Sequence, residues 1–279
     1  MLVSVLFVLI WTTGFLTARF VAPHADPLTF LAIRVGASAV AFALLATLTG
    51  APWPRTWRDW RNAAIAGVLM QGVYLGGVFW AVRHGLPAGI AALITGLQPL
   101  LTAALAFPLL GERVTRRRWA GILLGFGGAV LVLEPQMRGT PLLVPALVCG
   151  LSMVAITVGT LWQKSTGTGD LRTSAGIQFL AAAGLMIPAA LLTEPGRFDG
   201  SWQVWAGLAW AVLGLSVGAT WLFLSLIRRG AVAGVASLFY LVPPVAALAS
   251  WVLFGDTLVP LQVTGMAVAA AGVGIAARG

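Results

Sequence analysis

Charge is scarce in this 279-residue chain: 9% of residues are charged and 59% are hydrophobic, with a mean hydropathy of +0.95. Soluble domains carry about 25% charged residues, so a soluble globular fold is excluded. Cysteine is nearly absent. Cys149 stands alone, so it can form no intrachain disulfide and no thiolate metal cluster. The two histidines, His24 and His84, are far apart in sequence. No pair of carboxylates falls within an apolar run, so acid–base and metal chemistry have few candidates. No cofactor or metal is expected. Asp and Glu are also missing from the middle of every long apolar run. Glu112, Glu134 and Asp256 lie near run ends. A proton antiporter ordinarily needs a titratable intramembrane group, so coupling through a buried carboxylate is disfavoured. A strongly cationic ligand would find no carboxylate within these runs to balance it.

What the chain does have is apolar runs of about 20 residues, the length needed to cross roughly 30 Å of hydrocarbon. Ten are predicted: 2–20, 28–48, 62–82, 86–108, 118–134, 141–161, 173–193, 203–226, 231–254 and 260–277. The connecting loops are too short to hold a soluble domain. The first run lacks a basic leader segment, and Trp11, Thr12 and Thr13 interrupt it, so it reads as a span and not as a cleaved signal.

The net charge of +9 is spread over short loops, which is no nucleic-acid surface. Its sidedness carries the information. With a cytoplasmic N-terminus, twelve of the 17 basic residues fall inside: Arg55, Arg58, Arg61, Arg113, Arg116, Arg117, Arg118, Lys164, Arg172, Arg228, Arg229 and Arg278. Four fall outside: Arg19, Arg83, Arg138 and Arg197. Arg34 lies within a span. That bias predicts both termini in the cytoplasm. Sixteen of the 17 basic residues are arginine, a composition that suits a GC-rich bacterial genome and hence a bacterial inner membrane.

Residues 83–128 and 228–272 carry one pattern twice, about 145 positions apart. The matched pairs are Gly85/Gly230, Gly89/Gly234, Pro99/Pro244, Gly111/Gly255, Glu112/Asp256, Gly121/Gly265 and Gly128/Gly272. Five spans per copy is an odd number, so the copies face opposite ways. The domains are predicted as 1–138 and 139–279. Charge agrees: Gly111-Glu112 is followed by a basic loop, and Gly255-Asp256 by TLVP with no base. Inverted repeats are a common plan of secondary transporters.

Pro99 and the Pro243-Pro244 pair interrupt the fourth and ninth spans. Matched breaks in two halves point to a midplane site, although a proline can also merely kink a packed helix. Gly85/Gly89 and Gly230/Gly234 have the small-xxx-small spacing that lets helices approach closely, within one monomer or across a homodimer seam. Polar residues recur on one face of four spans: Gln71 and Tyr74, Thr95 and Gln98, Ser216 and Thr220, Ser237 and Tyr240. Spacings of three or four put each pair on one helical face. Intramembrane polar groups tend to face the bundle interior, so these are candidate substrate-binding residues. The alternative for the Ser and Thr hydroxyls is bonding to carbonyls four residues back. Arg34 and Gln178 occupy matching places in the second and seventh spans. Arg34 would either snorkel outward or hold a carboxylate through its planar fork. Trp53, Trp57, Trp60, Trp119, Trp202 and Trp205 sit near span ends as interfacial anchors. Trp11, beside Thr12 and Thr13, is a candidate for contact with an apolar cargo. Gly272, Gly274 and Ala277 approach a dinucleotide fingerprint, but they lack the preceding strand that the fingerprint needs.

The whole chain resembles the EamA-type branch of the drug/metabolite transporter superfamily. The run from Pro99 through LLGERVTRRRWAGILLGFGGAVLV carries the resemblance, with a weaker second copy in which Gly255-Asp256-Thr257 replaces Gly-Glu-Arg. Arg34 fits the family's habit of an arginine in the second helix. The resemblance implies an all-α membrane fold of ten helices in two inverted five-helix repeats around a central cavity. It implies alternating access and small-metabolite cargo, often amino acids, usually exported. Aromatic amino-acid exporters of the YddG type are among the relatives it suggests, and no motif singles out that subgroup. The expected function is export of small neutral or zwitterionic metabolites, with membrane lipid as surroundings. An integral-membrane transferase and a membrane scaffold or sensor are the alternatives. The first lacks a convergent catalytic set, and the second lacks a long partner-binding loop.

Overall fold

The computed structural model describes residues 2–86, 88–134, 143–167, 169–230, 232–255 and 257–278. The helices in chain order are α1 (Leu2–Val21), α2 (Pro27–Leu48), α3 (Trp57–Arg83) and α4, which is split into α4a (Ala88–Thr95) and α4b (Gln98–Leu110). Then come α5 (Arg116–Leu133), α6 (Leu143–Thr166), α7 (Leu171–Thr193) and α8 (Trp202–Arg229). Last are α9a (Val232–Ser237), a 3-10 turn at Leu238–Leu241, α9b (Val242–Phe254) and α10 (Pro260–Ala277). Eight of the described helices are long and apolar enough to cross a membrane. The protein is therefore a multi-pass, all-helical membrane protein. Among the described residues, the one β feature is an isolated bridge between Ala25 and Phe198.

Local chemistry sets the helix ends. Thr56 accepts the Asp59 N–H and opens α3, Thr115 accepts the Arg118 N–H and opens α5, and the Asp170 carboxylate accepts the Arg172 N–H and opens α7. Each satisfies a donor that the first turn leaves free. These caps explain why α3 begins five residues before the expected span: a polar first turn bearing Arg58 and Arg61 extends the helix beyond its apolar run. Gly111 and Gly255 close α4b and α9b with φ of 71° and 70°. That left-handed conformation favours glycine, which accounts for the glycine in both Gly-acid pairs.

Glycines decide the tightest packing, between α5 and α10. A Cβ at Gly121 would run into the backbone of Ala276, and one at Gly128 into that of Ala269. A Cβ at Gly272 would strike Gly125, and one at Gly265 would lie 2.8 Å from the Gly128 carbonyl oxygen. Lipid offers little hydrophobic drive between helices, so close van der Waals contact of this kind does the holding. Helices α2 and α7 form a second close pair, with the Phe42 and Phe179 rings stacked 5.6 Å apart. The apolar outer surface, with Leu48 and Leu192 each 84% exposed, is the face left for lipid.

Two ends can be told apart by charge. At one, Lys164, Arg118, Arg172 and Arg228 gather near the α4b–α5, α6–α7 and α8–α9 junctions. At the other, Asp26, Arg83 and Glu194 form a tie. The Glu194 carboxylate accepts the Leu28 and Thr29 N–H groups at 2.9 and 2.7 Å, and Arg83 reaches it at 3.3 Å. An anion at a helix N-terminus is favoured by the orphan donors and the dipole, so Glu194, just past the end of α7, anchors the start of α2.

Candidate functional site

Two helices change winding at matching places. Residues Val68–Val73 of α3 and Ala211–Ala219 of α8 are π-helical. Such segments are uncommon and recur at functional sites. Helices α4 and α9 break at Gly96-Leu97 and Leu238–Leu241. The prolines sit just after these breaks, in the first turn of the second half-helix, where a missing N–H costs nothing.

Between these elements lies a cavity of about 620 Å³, counting its open mouth. Trp11, Tyr74, Thr95, Gln98, Tyr240 and Pro243 line it, joined by Phe126, Ala129 and Leu133 from α5, Ile156 from α6, and Phe239. The wall is mostly apolar, and five aromatic rings, Trp11, Tyr74, Phe126, Phe239 and Tyr240, contribute to it. Trp11 lies 5.3 Å from Phe239 in an edge-on arrangement, with Phe7 and Phe223 completing the cluster behind them. No charged side chain is among the described lining residues. Two polar atoms are buried there without partners, Gln98 Oε1 and the Tyr240 hydroxyl. Gln98 Nε2 donates to Thr102 Oγ1 at 3.2 Å, which fixes the amide. Gln98 is 3% exposed and Tyr240 1%.

At the arginine-rich end α4b packs on α9a, and Glu112 Oε2 accepts the Val232 N–H at 2.9 Å. Lys164 donates to the carbonyls of Arg228 and Gly230 at 3.3 and 2.9 Å and lies 3.9 Å from Glu112. One carboxylate and one ammonium thus fasten the junction of α8 and α9. The cavity's remaining walls, Ala92 and Leu93 of α4a and Leu133 at the end of α5, lead toward the opposite end.

At that opposite end two groups are electrostatically set. Burial works against ionisation of Asp26, but the Arg197 N–H at 2.8 Å and the Arg83 guanidinium at 3.3 Å overcome it and hold its pKa below the usual value. The Asp199 carboxyl is lowered to about 2, first by the Ser201 N–H and then by the Ser201 hydroxyl and His24. At the arginine-rich end, the Arg172 side chain lowers Asp170 against the effect of partial burial.

The other expected residues fall elsewhere. Arg34 is half-buried and donates from Nε to Ser216 Oγ at 3.1 Å; neither is among the cavity-lining residues. Gln71 is buried in the π segment of α3, away from the lining set. Thr220 bonds the Leu215 carbonyl five residues back, and Ser237 bonds the Gly234 carbonyl. Both follow the backbone-bonding alternative. Thr95 does so too, bonding the Ala91 carbonyl while lining the cavity. Gln178 is buried between Gln163 and Ser174. Pro99 and Pro244 are buried outside the lining set. Gly85 has a φ of 92° at the end of α3, and Gly230 ends α8, so their role is to end helices. Gly234 faces the Arg118 guanidinium. Gly89 lies in α4a; its surroundings, and Asp256, fall outside the described residues.

The chain matches the EamA-like transporter family twice, over residues 1–134 and 143–278. It belongs to that family. A probable terminal-alkyne amino-acid exporter of Streptantibioticus cattleyicolor is 29% identical, over 96% of this chain and 90% of that protein. The uncharacterized inner membrane transporter YedA of Escherichia coli K12 is 26% identical, over 91% and 82%. Protein PecM of Dickeya dadantii is 31% identical over 67% of this chain, and that match spans 61% of PecM. A solved crystal structure shares the fold with a TM-score of 0.85 at 23% identity, covering 99% of this chain and 96% of the other. The relatives named by activity are transporters or exporters, not enzymes, which sets the transferase reading aside.

Proposed function

We propose that this protein is a secondary transporter that exports small neutral or zwitterionic metabolites by alternating access. Amino acids with an apolar or aromatic side are the favoured cargo. The observation that carries this reading is the cavity itself. Its walls are apolar with five aromatic rings, two buried polar atoms of its lining residues lack partners, and it sits where α4 and α9 break. Buried polar groups are nearly always bonded, so two orphaned atoms in residues that line one cavity fit a site that a ligand completes. The exporter relative supports the amino-acid class.

Ten spans in two inverted repeats, 1–138 and 139–279, make sense of several features together. The glycine contacts are reciprocal: Gly121 meets the Gly272 region as Gly265 meets Gly128, and these are the repeat-matched pairs. The π segments and helix breaks also fall at matched positions. The arginine-rich end is cytoplasmic on this reading, as are both termini, and the membrane is the bacterial inner membrane. The conformation described is then closed to the cytoplasm by the Glu112–Lys164 fastening. Opening requires α9a to leave Glu112 while the opposite ends of α4 and α9 converge. With no carboxylate among the described lining residues, movement follows the cargo gradient. The unit is a monomer or homodimer.

Expression in cells loaded with labelled aromatic amino acid is expected to speed its efflux. Ala129→Trp, which fills the cavity from α5, is expected to abolish the gain while the protein still reaches the membrane. Efflux unchanged by Ala129→Trp would remove the cavity from the pathway.

A further inference from the structure

The two orphaned atoms in the cavity are of opposite kind. Gln98 Oε1 accepts hydrogen bonds only. One of its two amide N–H groups goes to Thr102 Oγ1, and the oxygen, in a residue that lines the cavity, is left without a partner. The Tyr240 hydroxyl can donate. It has no partner in a residue that is 1% exposed. The nearby start of α9b offers no substitute donor. The Val242 N–H bonds the Phe239 carbonyl, and Pro243 and Pro244 have no N–H at all. The paired prolines thus strip donors from the break and leave Tyr240 as the donor there. The Tyr240 ring is held in place, since it lies against Gly125 so closely that a Cβ there would come within 2.8 Å of Tyr240 Cδ2. Phe126 flanks the same ring at 6.1 Å.

We infer that the cavity selects cargo carrying both a hydrogen-bond donor and an acceptor beside an apolar body, with Gln98 Oε1 reading the donor and the Tyr240 hydroxyl reading the acceptor. This rests on the cavity being the transport site, and it adds a two-point specificity rule to that reading. For an α-amino acid the ammonium meets Gln98 and the carboxylate meets Tyr240. Trp11, Phe126 and Phe239 receive the side chain. Arg34 takes no part, because its guanidinium is engaged with Ser216 outside the lining set.

The test is competition in proteoliposomes showing counterflow of labelled phenylalanine. Unlabelled competitors are phenylalanine, the same skeleton without the amine (3-phenylpropionate), and the same skeleton without the carboxylate (phenethylamine). A site polar group left unpaired by the ligand costs on the order of tenfold in affinity. Each truncated compound is therefore expected to compete about tenfold or more weakly. Gln98→Met is expected to erase the preference over 3-phenylpropionate and keep the preference over phenethylamine. Tyr240→Phe is expected to do the reverse. Melting temperature in detergent shows that each variant is folded. A truncated compound competing as well as phenylalanine overturns the two-point rule, as does a preference that neither variant changes, or the absence of phenylalanine exchange. Ala129→Trp separates the two readings. If it blocks counterflow while the variants leave the preferences intact, the cavity stands and the assignment of Gln98 and Tyr240 falls. If it transports normally, the cavity reading itself falls.

Discussion

Replacing Gly128 by alanine tests the α5–α10 seam with a single methyl group. The added Cβ has no room, because the Ala269 backbone occupies its place and the Gly265 carbonyl oxygen lies 2.7 Å away. Backbone cannot rotate aside as a side chain can, so the helices must part. Overpacking of this kind costs about 1–3 kcal/mol. The gain in helix propensity from glycine to alanine returns roughly 0.5–1 kcal/mol. The net loss expected is about 1–2 kcal/mol, or a fall in melting temperature of roughly 2–8 °C at about 2–4 °C per kcal/mol. Gly127 is the control one residue away, exposed and with nothing within 4 Å of its Cβ position. Gly127→Ala is expected to be neutral or slightly stabilising. The repeat-matched Gly272→Ala should behave like Gly128→Ala, because its Cβ meets Gly125. Gly274→Ala should behave like the control, having open space. The protein supplies its own reporter. Cys149 is its one thiol and is buried, so a thiol-reactive fluorophore reads unfolding in detergent at a single site. Equal shifts for Gly127→Ala and Gly128→Ala would refute the seam.

Three further expectations concern the ties at the two ends and the Arg34–Ser216 bond. Glu112→Gln removes the charge that holds Val232 and Lys164, so Ala106→Cys, at a site buried beside Leu161 and Val232, should be labelled faster by a thiol reagent in that background; an unchanged rate would show that the fastening is not a gate. The depressed carboxyls of Asp26, Asp170 and Asp199 bind protons less readily folded than unfolded. Their stabilisation is complete above about pH 5 and is lost as pH falls through the unfolded and then the folded values. The melting temperature should therefore be flat from about pH 7 to 5 and drop below about pH 4, with a shallower drop in Asp26→Asn. Arg34→Gln should lower the melting temperature while leaving the apparent cargo affinity within about twofold, because the lost bond to Ser216 lies outside the cavity and is worth about 1–2 kcal/mol; a tenfold weaker affinity would return Arg34 to the site.

Much of the fold was legible because lipid writes a strong signal. Uniform apolar runs gave most helices to within a turn, and polar caps such as Thr56 account for the extensions. The repeated glycines were visible, but one pattern hid two causes. Gly111 and Gly255 serve a left-handed backbone, whereas Gly121, Gly128, Gly265 and Gly272 serve contact, and spacing alone does not separate them. In the site, three-residue spacing before a proline picked out Thr95, Gln98 and Tyr240 together. It also picked out Ser237, whose hydroxyl turns back to its own helix. Gln71 lies within one π segment and Thr220 directly follows the other, so the winding on which a spacing argument rests changes at both. Phe126 and Phe239 were missed because an aromatic residue in an apolar run looks like any lipid-facing one. Lys164 was noted for its rarity, yet its pairing with Glu112 joins residues 52 apart and left no local trace.

The most direct test of the central claim is counterflow in proteoliposomes holding the purified protein, run with and without a pH gradient. Saturable exchange of an apolar or aromatic amino acid, unchanged by the gradient and reduced by Gln98→Met, is the predicted result. Exchange that needs the pH gradient would contradict the gradient-driven mechanism and direct attention to Glu112 and Glu194. No exchange of any amino acid would contradict the proposed cargo.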